Sequence, residues 1–99
     1  MLILRTLSRA PQMHGFEIAE SIQRFSEEAF EVEEGSLYPA LQRLLVQGWV
    51  KAEWGRTDGN RRARYYHLTA TGRKQLNQEI GRYKQISRAI GLVIETEGA

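Results

Sequence analysis

The stretch from Glu34 to Lys51, EGSLYPALQRLLVQGWVK, constrains this 99-residue chain more than any other. Leu37, Leu41, Leu44 and Leu45 recur at i, i+4, i+7 and i+8, which on a 3.6-residue period makes one buried stripe on a helix of about three turns. The helix is predicted to begin near Ser36, whose hydroxyl can cap a free amide. Pro39 is tolerated if it falls in the first turn, where amides have no intrahelical acceptor. Gly48 then ends the helix. Opposite the leucines stand Ser36, Pro39, Gln42, Arg43 and Val46, with Tyr38 on the flank and no carboxylate among them. A face of this kind can press against something other than water.

The remaining elements arrange themselves around that helix. Residues 1–8, MLILRTLS, read as a short apolar helix, and Pro11 biases Ala10 away from helical backbone. HGFEIAESIQRF places Ile18, Ile22 and Phe25 on one stripe beside Ala19, predicting a second helix from His14 to about Phe25. Phe30 and Val32 are expected to anchor the link SEEAFEVEE. After Gly48, Val50, Ala52 and Trp54 alternate inward along one strand, and Arg64, Tyr66 and Leu68 alternate with Tyr65 and His67 along another, with Tyr66 and Leu68 toward the core. Between them Asp58-Gly59-Asn60 suits a tight turn, immediately followed by Arg61, Arg62 and Arg64. Thr69 can cap a final helix running to about Glu95. The fold class expected from this order is mainly α with a small β-hairpin: a winged helix-turn-helix over residues 1–69, then a long C-terminal dimerisation helix and tail over 70–99.

Composition excludes several other readings. With 41% hydrophobic residues, a chain of this length makes one small core. It contains no cysteine and two histidines, so disulfides and thiolate metal sites are excluded, a zinc site is poorly supported, and no cofactor is expected. No apolar run reaches membrane-spanning length and the first residues do not have the form of a secretion signal, so the expected location is the cytoplasm, with no membrane partner. The formal net charge of +2 says little, but its distribution says more. Seven carboxylates between His14 and Glu34 face only Arg24, whereas seven basic residues between Lys51 and Lys74 face only Glu53 and Asp58. The carboxylates read as a solvated face, with Glu33 and Glu34 favouring the dipole of the helix they precede. His14 has the position of a local cap, and no set of nucleophile, base and orienting residue indicates an enzyme.

In the final helix Leu76, Ile80, Tyr83, Ile90 and Ile94 form an apolar stripe too long for three short helices to cover, which predicts pairing with a second copy. Trp49 and Trp54 read either as core and hairpin packing or as the lining of a cavity at the dimer seam. Ser36 is either a cap alone or also a DNA contact, and Tyr38 either half-buried support or a contact through its hydroxyl. Gln42 and Arg43 lie where a recognition helix meets base edges, Arg donating to guanine or phosphate and Gln pairing with adenine. Lys51, Arg61, Arg62 and Arg64 form a cationic set suited to phosphate or the minor groove.

HGFEIAESI, VEEGSLYPALQRLLVQGWVKAEW and NRRARYYHLTATGRKQL resemble the PadR-like transcriptional regulators of bacteria, in their short form with a single C-terminal helix. The resemblance covers nearly the whole chain. It implies a homodimeric winged-helix binder of double-stranded operator DNA, usually a repressor, whose C-terminal helices pair and cross the partner's N-terminal helix. Ser36 to Leu41 would enter the major groove, and Arg61 to Arg64 would be the basic wing. Relatives carry several more residues ahead of the segment matching MLILRTL, and they respond to phenolic acids or planar drugs. Any effector here is accordingly expected to be planar and aromatic and to bind between subunits, with Trp49, Trp54 and Tyr83 as available rings. The competing expectation is a non-enzymatic winged-helix protein-interaction module or regulatory subunit.

Overall fold

The computed structural model describes residues 1–97; the last two residues of the expected tail lie outside them. Helices α1 (Leu2–Leu7), α2 (Gly15–Phe25) and α3 (Glu34–Val46) precede the strands β2 (Val50–Arg56) and β3 (Arg62–Leu68), and α4 (Ala70–Glu95) closes the chain. A two-residue strand, β1 (Met13–His14), has no counterpart in the periodicity. It pairs with Tyr66 and Tyr65 of β3, giving a three-stranded antiparallel sheet in the order β1-β3-β2. Every helix and both long strands send side chains into one core of Leu4, Leu7, Ile18, Ile22, Leu37, Leu41, Val50, Tyr66 and Leu76. Among the described residues no helix is long and apolar enough to cross a membrane.

Local chemistry explains the boundaries. His14 caps α2 reciprocally: its Nδ1 accepts from the Glu17 amide at 3.3 Å, and the Glu17 carboxylate accepts from the His14 amide at 3.1 Å. At the end of α3, Gly48 adopts φ +76° while the Gly48 and Trp49 amides donate back to the Leu45 and Leu44 carbonyls, the two-bond closure that favours glycine. Helix α2 closes with the same pair of bonds, but Glu27 and Glu28 occupy the left-handed region at φ 52° and 67°. No glycine marks that stop in the sequence. Thr69 caps α4 by accepting from the Gly72 amide at 2.9 Å, and its hydroxyl donates to the Gly48 carbonyl at 2.8 Å, so one side chain ties the end of α3 to the start of α4.

Several expectations need correction. Helix α3 begins at Glu34, behind Glu33, with no side-chain cap; Ser36 is its third residue, and Pro39 falls in the second turn. Pro39 there leaves the Gly35 carbonyl without its intrahelical donor, which costs about 3 kcal/mol where nothing compensates. Phe25, placed on the buried stripe of α2, is 62% exposed, with the guanidiniums of Arg9 and Arg24 over its ring at 4.7 and 5.3 Å from the centroid. Phe30 is also exposed, so of the two expected loop anchors only Val32 packs on the core. Trp54 points along the inward face of β2 but is 61% exposed, because the core ends at Ala52 and Tyr66. Leu76, assigned to pairing, is 2% exposed within the chain's own core, and Ile80 packs beside it.

Candidate nucleic-acid interface

The outward side of α3 is free. Leu37 and Leu41 are buried and Leu44 and Leu45 partly so, whereas Ser36, Tyr38, Pro39, Gln42, Arg43 and Val46 are exposed. Helical geometry divides these residues further: Pro39, Gln42, Arg43 and Val46 point away from the core, and Ser36 and Tyr38 flank them on opposite sides. Ser36 lies toward α1 and shares a shallow depression with Met1, Leu2, Phe30 and Ala40. Tyr38 lies toward the hairpin, its hydroxyl against the start of α2 at Gly15.

The hairpin supplies the second wall. Val50 pairs with Leu68, Ala52 with Tyr66, Trp54 with Arg64 and Arg56 with Arg62, so these residues all share one face of the two strands. That face is apolar where the helices lie under it. Beyond Ala52 no core residue packs against it, and it carries Trp54, Arg62 and Arg64 instead. The overhang roofs a cleft of about 760 Å³ lined by Gly15, Phe16, Tyr38, Trp54, Arg62 and Arg64, with Arg61 at its rim. The wing above it is held by its own bonds. The Thr57 amide donates to the Arg61 carbonyl at 2.8 Å, the Asn60 amide to the Thr57 carbonyl at 2.9 Å, and the Tyr65 hydroxyl to the Arg56 carbonyl at 3.1 Å. Asn60 takes the left-handed turn position, at φ 60°.

The structure therefore brings Tyr38, Arg61, Arg62 and Arg64 to one cleft, with Pro39, Gln42 and Arg43 on the adjoining face of α3. Lys51 is not with them. It pairs with His67 at the base of the hairpin, on the opposite face from Arg62 and Arg64. Phe16, exposed in the wall of the cleft, escaped sequence reasoning because it follows the α2 cap and lies off the α2 stripe. The three rings assigned to an effector are separated: Trp54 lines the wing cleft, Trp49 packs against the core, and Tyr83 is exposed on α4, none of whose residues lines that cleft. Among the described residues no group of three His, Asp or Glu side chains could hold a metal ion.

The geometry of the cleft makes one expectation concrete. A methyl group on Gly15 would lie 2.9 Å from the Tyr38 hydroxyl, so Gly15→Ala must swing that ring aside. Duplex affinity measured by fluorescence anisotropy should fall about fivefold per bound subunit, the worth of one ordinary hydrogen bond, as it should for Tyr38→Phe. Full affinity in both variants would remove the Tyr38 hydroxyl from the contact surface.

An exposed helix set beside a cationic hairpin, both carried on a helical core, defines a winged helix-turn-helix protein. Residues 3–78 match the transcriptional regulator PadR-like family. The chain is similar to a transcriptional regulator from Clostridium thermocellum, at 28% identity over 91% of this chain and 86% of that one, with a TM-score of 0.81. It is similar also to a protein from Streptococcus mutans UA159, at 26% identity over 99% and 87%, with a TM-score of 0.85. PadR of Bacillus subtilis, solved in complex with operator DNA, shares the fold at 19% identity and a TM-score of 0.70 over 80% of this chain and 44% of that one. The chain belongs to the PadR-like family of transcriptional regulators, and among the described residues one long helix, α4, follows the winged domain. It is a non-enzymatic DNA-binding regulator.

Proposed function

We propose that the chain acts as a homodimer that reads an inverted-repeat operator and represses transcription from it. The observation that carries this reading is the shared orientation of two surfaces: the carboxylate-free side of α3 and the arginine-lined overhang of the wing meet at Tyr38. An α-helix fits the major groove, and a flanking cationic hairpin reaches the neighbouring phosphates or the minor groove. Pro39, Gln42, Arg43 and Val46 are then the residues at base edges, while Arg61, Arg62 and Arg64 hold the register. Lys51, at the base of the hairpin, contributes long-range charge rather than contact.

Pairing supplies the symmetry. From Tyr83 onward the apolar residues of α4 are uncovered, with Tyr83, Ile86, Ile90 and Ile94 all more than half exposed. Two copies joined there would set their α3 helices on successive major grooves about 34 Å apart, which requires an inverted repeat. Of the three rings expected around an effector, only Tyr83 lies on this pairing face, so an intersubunit site for a planar aromatic molecule would be built from Tyr83 and its α4 neighbours. Such a ligand relieves repression only if it binds more tightly to a dimer whose α3 spacing does not fit DNA.

The direct test is enrichment of duplexes from a random library at physiological salt, followed by affinity measurements on the enriched and scrambled sequences. The expected product is a two-fold symmetric site with half-sites about one helical turn apart, bound at least ~10³-fold more tightly than scrambled duplex. Equal affinity for the two would defeat the reading.

A further inference from the structure

A tryptophan 61% exposed to solvent needs a reason in a protein with so little core. Trp54 is not among the side chains packed on the core, yet its ring is covered on one side: the Arg62 guanidinium carbon sits 4.5 Å from the indole centroid. One step nearer the core on the same face of the hairpin, Arg64 stands 5.8 Å from the ring centroid of Tyr66. The overhang is thus a short ladder of guanidiniums laid on aromatic faces, leading from the buried Tyr66 out toward the wing tip. Neither arginine forms an ion pair among the described residues, whose bridges join the Met1 ammonium to Glu79 and His14 to Glu17.

The choice of an aromatic support over a carboxylate has a consequence. A carboxylate would order the guanidinium but cancel its charge and occupy its donors. A π face orders the cation through the ring quadrupole, leaving its charge intact and its edge N–H groups free. An unsupported arginine gives up much of its side-chain freedom on meeting a phosphate, and a support that has already restricted it removes part of that cost. We propose that Trp54 is a positioning residue for DNA binding, holding the Arg62 guanidinium over the wing cleft so that it meets the sugar-phosphate backbone already ordered. This rests on the DNA-reading function proposed above and assigns Trp54 to the wing rather than to a ligand site at the dimer seam.

The test is a double-mutant cycle on the full chain, with affinity for enriched duplex measured by anisotropy across a salt series. Trp54→Leu keeps an apolar side chain but no π face, and should weaken binding about fivefold with little change in thermal midpoint, because the ring is outside the core. Trp54→Tyr should restore affinity to within about twofold of the parent, since it retains an aromatic face. In an Arg62→Ala background the Trp54→Leu change should have no further effect. Parental affinity for Trp54→Leu overturns the proposal. An equal loss with and without Arg62 also overturns it, showing that the indole touches DNA itself. A parent protein that binds no duplex defeats the DNA-reading function, and this proposal with it, before any variant is compared.

Discussion

Ile90→Asp, and equally Ile86→Asp, should convert the protein from dimer to folded monomer at micromolar concentration and remove operator binding. The cause is the distribution of apolar surface along α4. Its first turns are covered by the chain's own core through Leu76 and Ile80, but Tyr83, Ile86, Ile90, Val93 and Ile94 are all exposed, Val93 at 80%. Tyr83, Ile86, Ile90 and Val93 follow one another at spacings of three, four and three, the alternation that keeps a seam facing a partner helix. The expected pairing stripe is thus extended by Val93, with Ile86 at the seam position between Tyr83 and Ile90, while Leu76 belongs to the core.

Burying an aliphatic side chain of this size contributes about 1.5–3 kcal/mol, and a carboxylate in its place must also be desolvated, so the dimer should weaken by at least about 100-fold. Sedimentation equilibrium reads the assembly state and far-ultraviolet circular dichroism the fold. The contrast with Leu76→Asp makes the experiment specific: that change buries a charge in the core and should unfold the chain, whereas the Ile90 variant keeps its helicity as a monomer. A folded monomer in the parent protein, or an undisturbed dimer in both α4 variants, would sink this assembly.

Neutralising both arginines of the wing, Arg61→Ala with Arg62→Ala, is expected to weaken operator and random duplex together and to flatten the dependence of log affinity on log salt. Each phosphate contact contributes about 0.9 to that slope, so a dimer losing four guanidiniums should lose up to about 3.6. Gln42→Ala and Arg43→Ala should behave differently. They change which base is preferred at particular operator positions, by about 1–3 kcal/mol where a bidentate contact is lost, and the salt slope shifts only if Arg43 also touches phosphate. Lys51→Ala is the internal control, being equal in charge to either arginine but located at the other end of the hairpin and on its opposite face. If the double wing variant keeps the parental slope, the wing does not contact phosphate. If Lys51→Ala matches the loss per charge of the wing variant, net charge alone explains the effect.

The sequence by itself determined what short-range rules control. The leucine period of α3, its glycine stop, the threonine cap of α4 and the strand-turn-strand order with arginines at the tip each depend on residues a few positions apart, and each appears in the structure. The outward placement of Pro39, Gln42 and Arg43 follows from the same period, since a helix that buries one side must expose the other.

Only the tertiary structure decided how far along each element the neighbouring layer reaches. Tyr66 and Trp54 share one face of the hairpin, yet one is buried and the other opens on a cleft, because the close-packed core ends between them. Leu76 and Ile90 share one side of α4, yet one belongs to the core and the other is left uncovered. The strand β1 likewise depended on a partner distant in sequence, and so did the need for glycine at position 72, where a side chain would meet the Trp49 carbonyl oxygen at 2.0 Å. Periodicity tells which way a side chain points; whether anything stands there to meet it is a property of chain segments that no local spacing records.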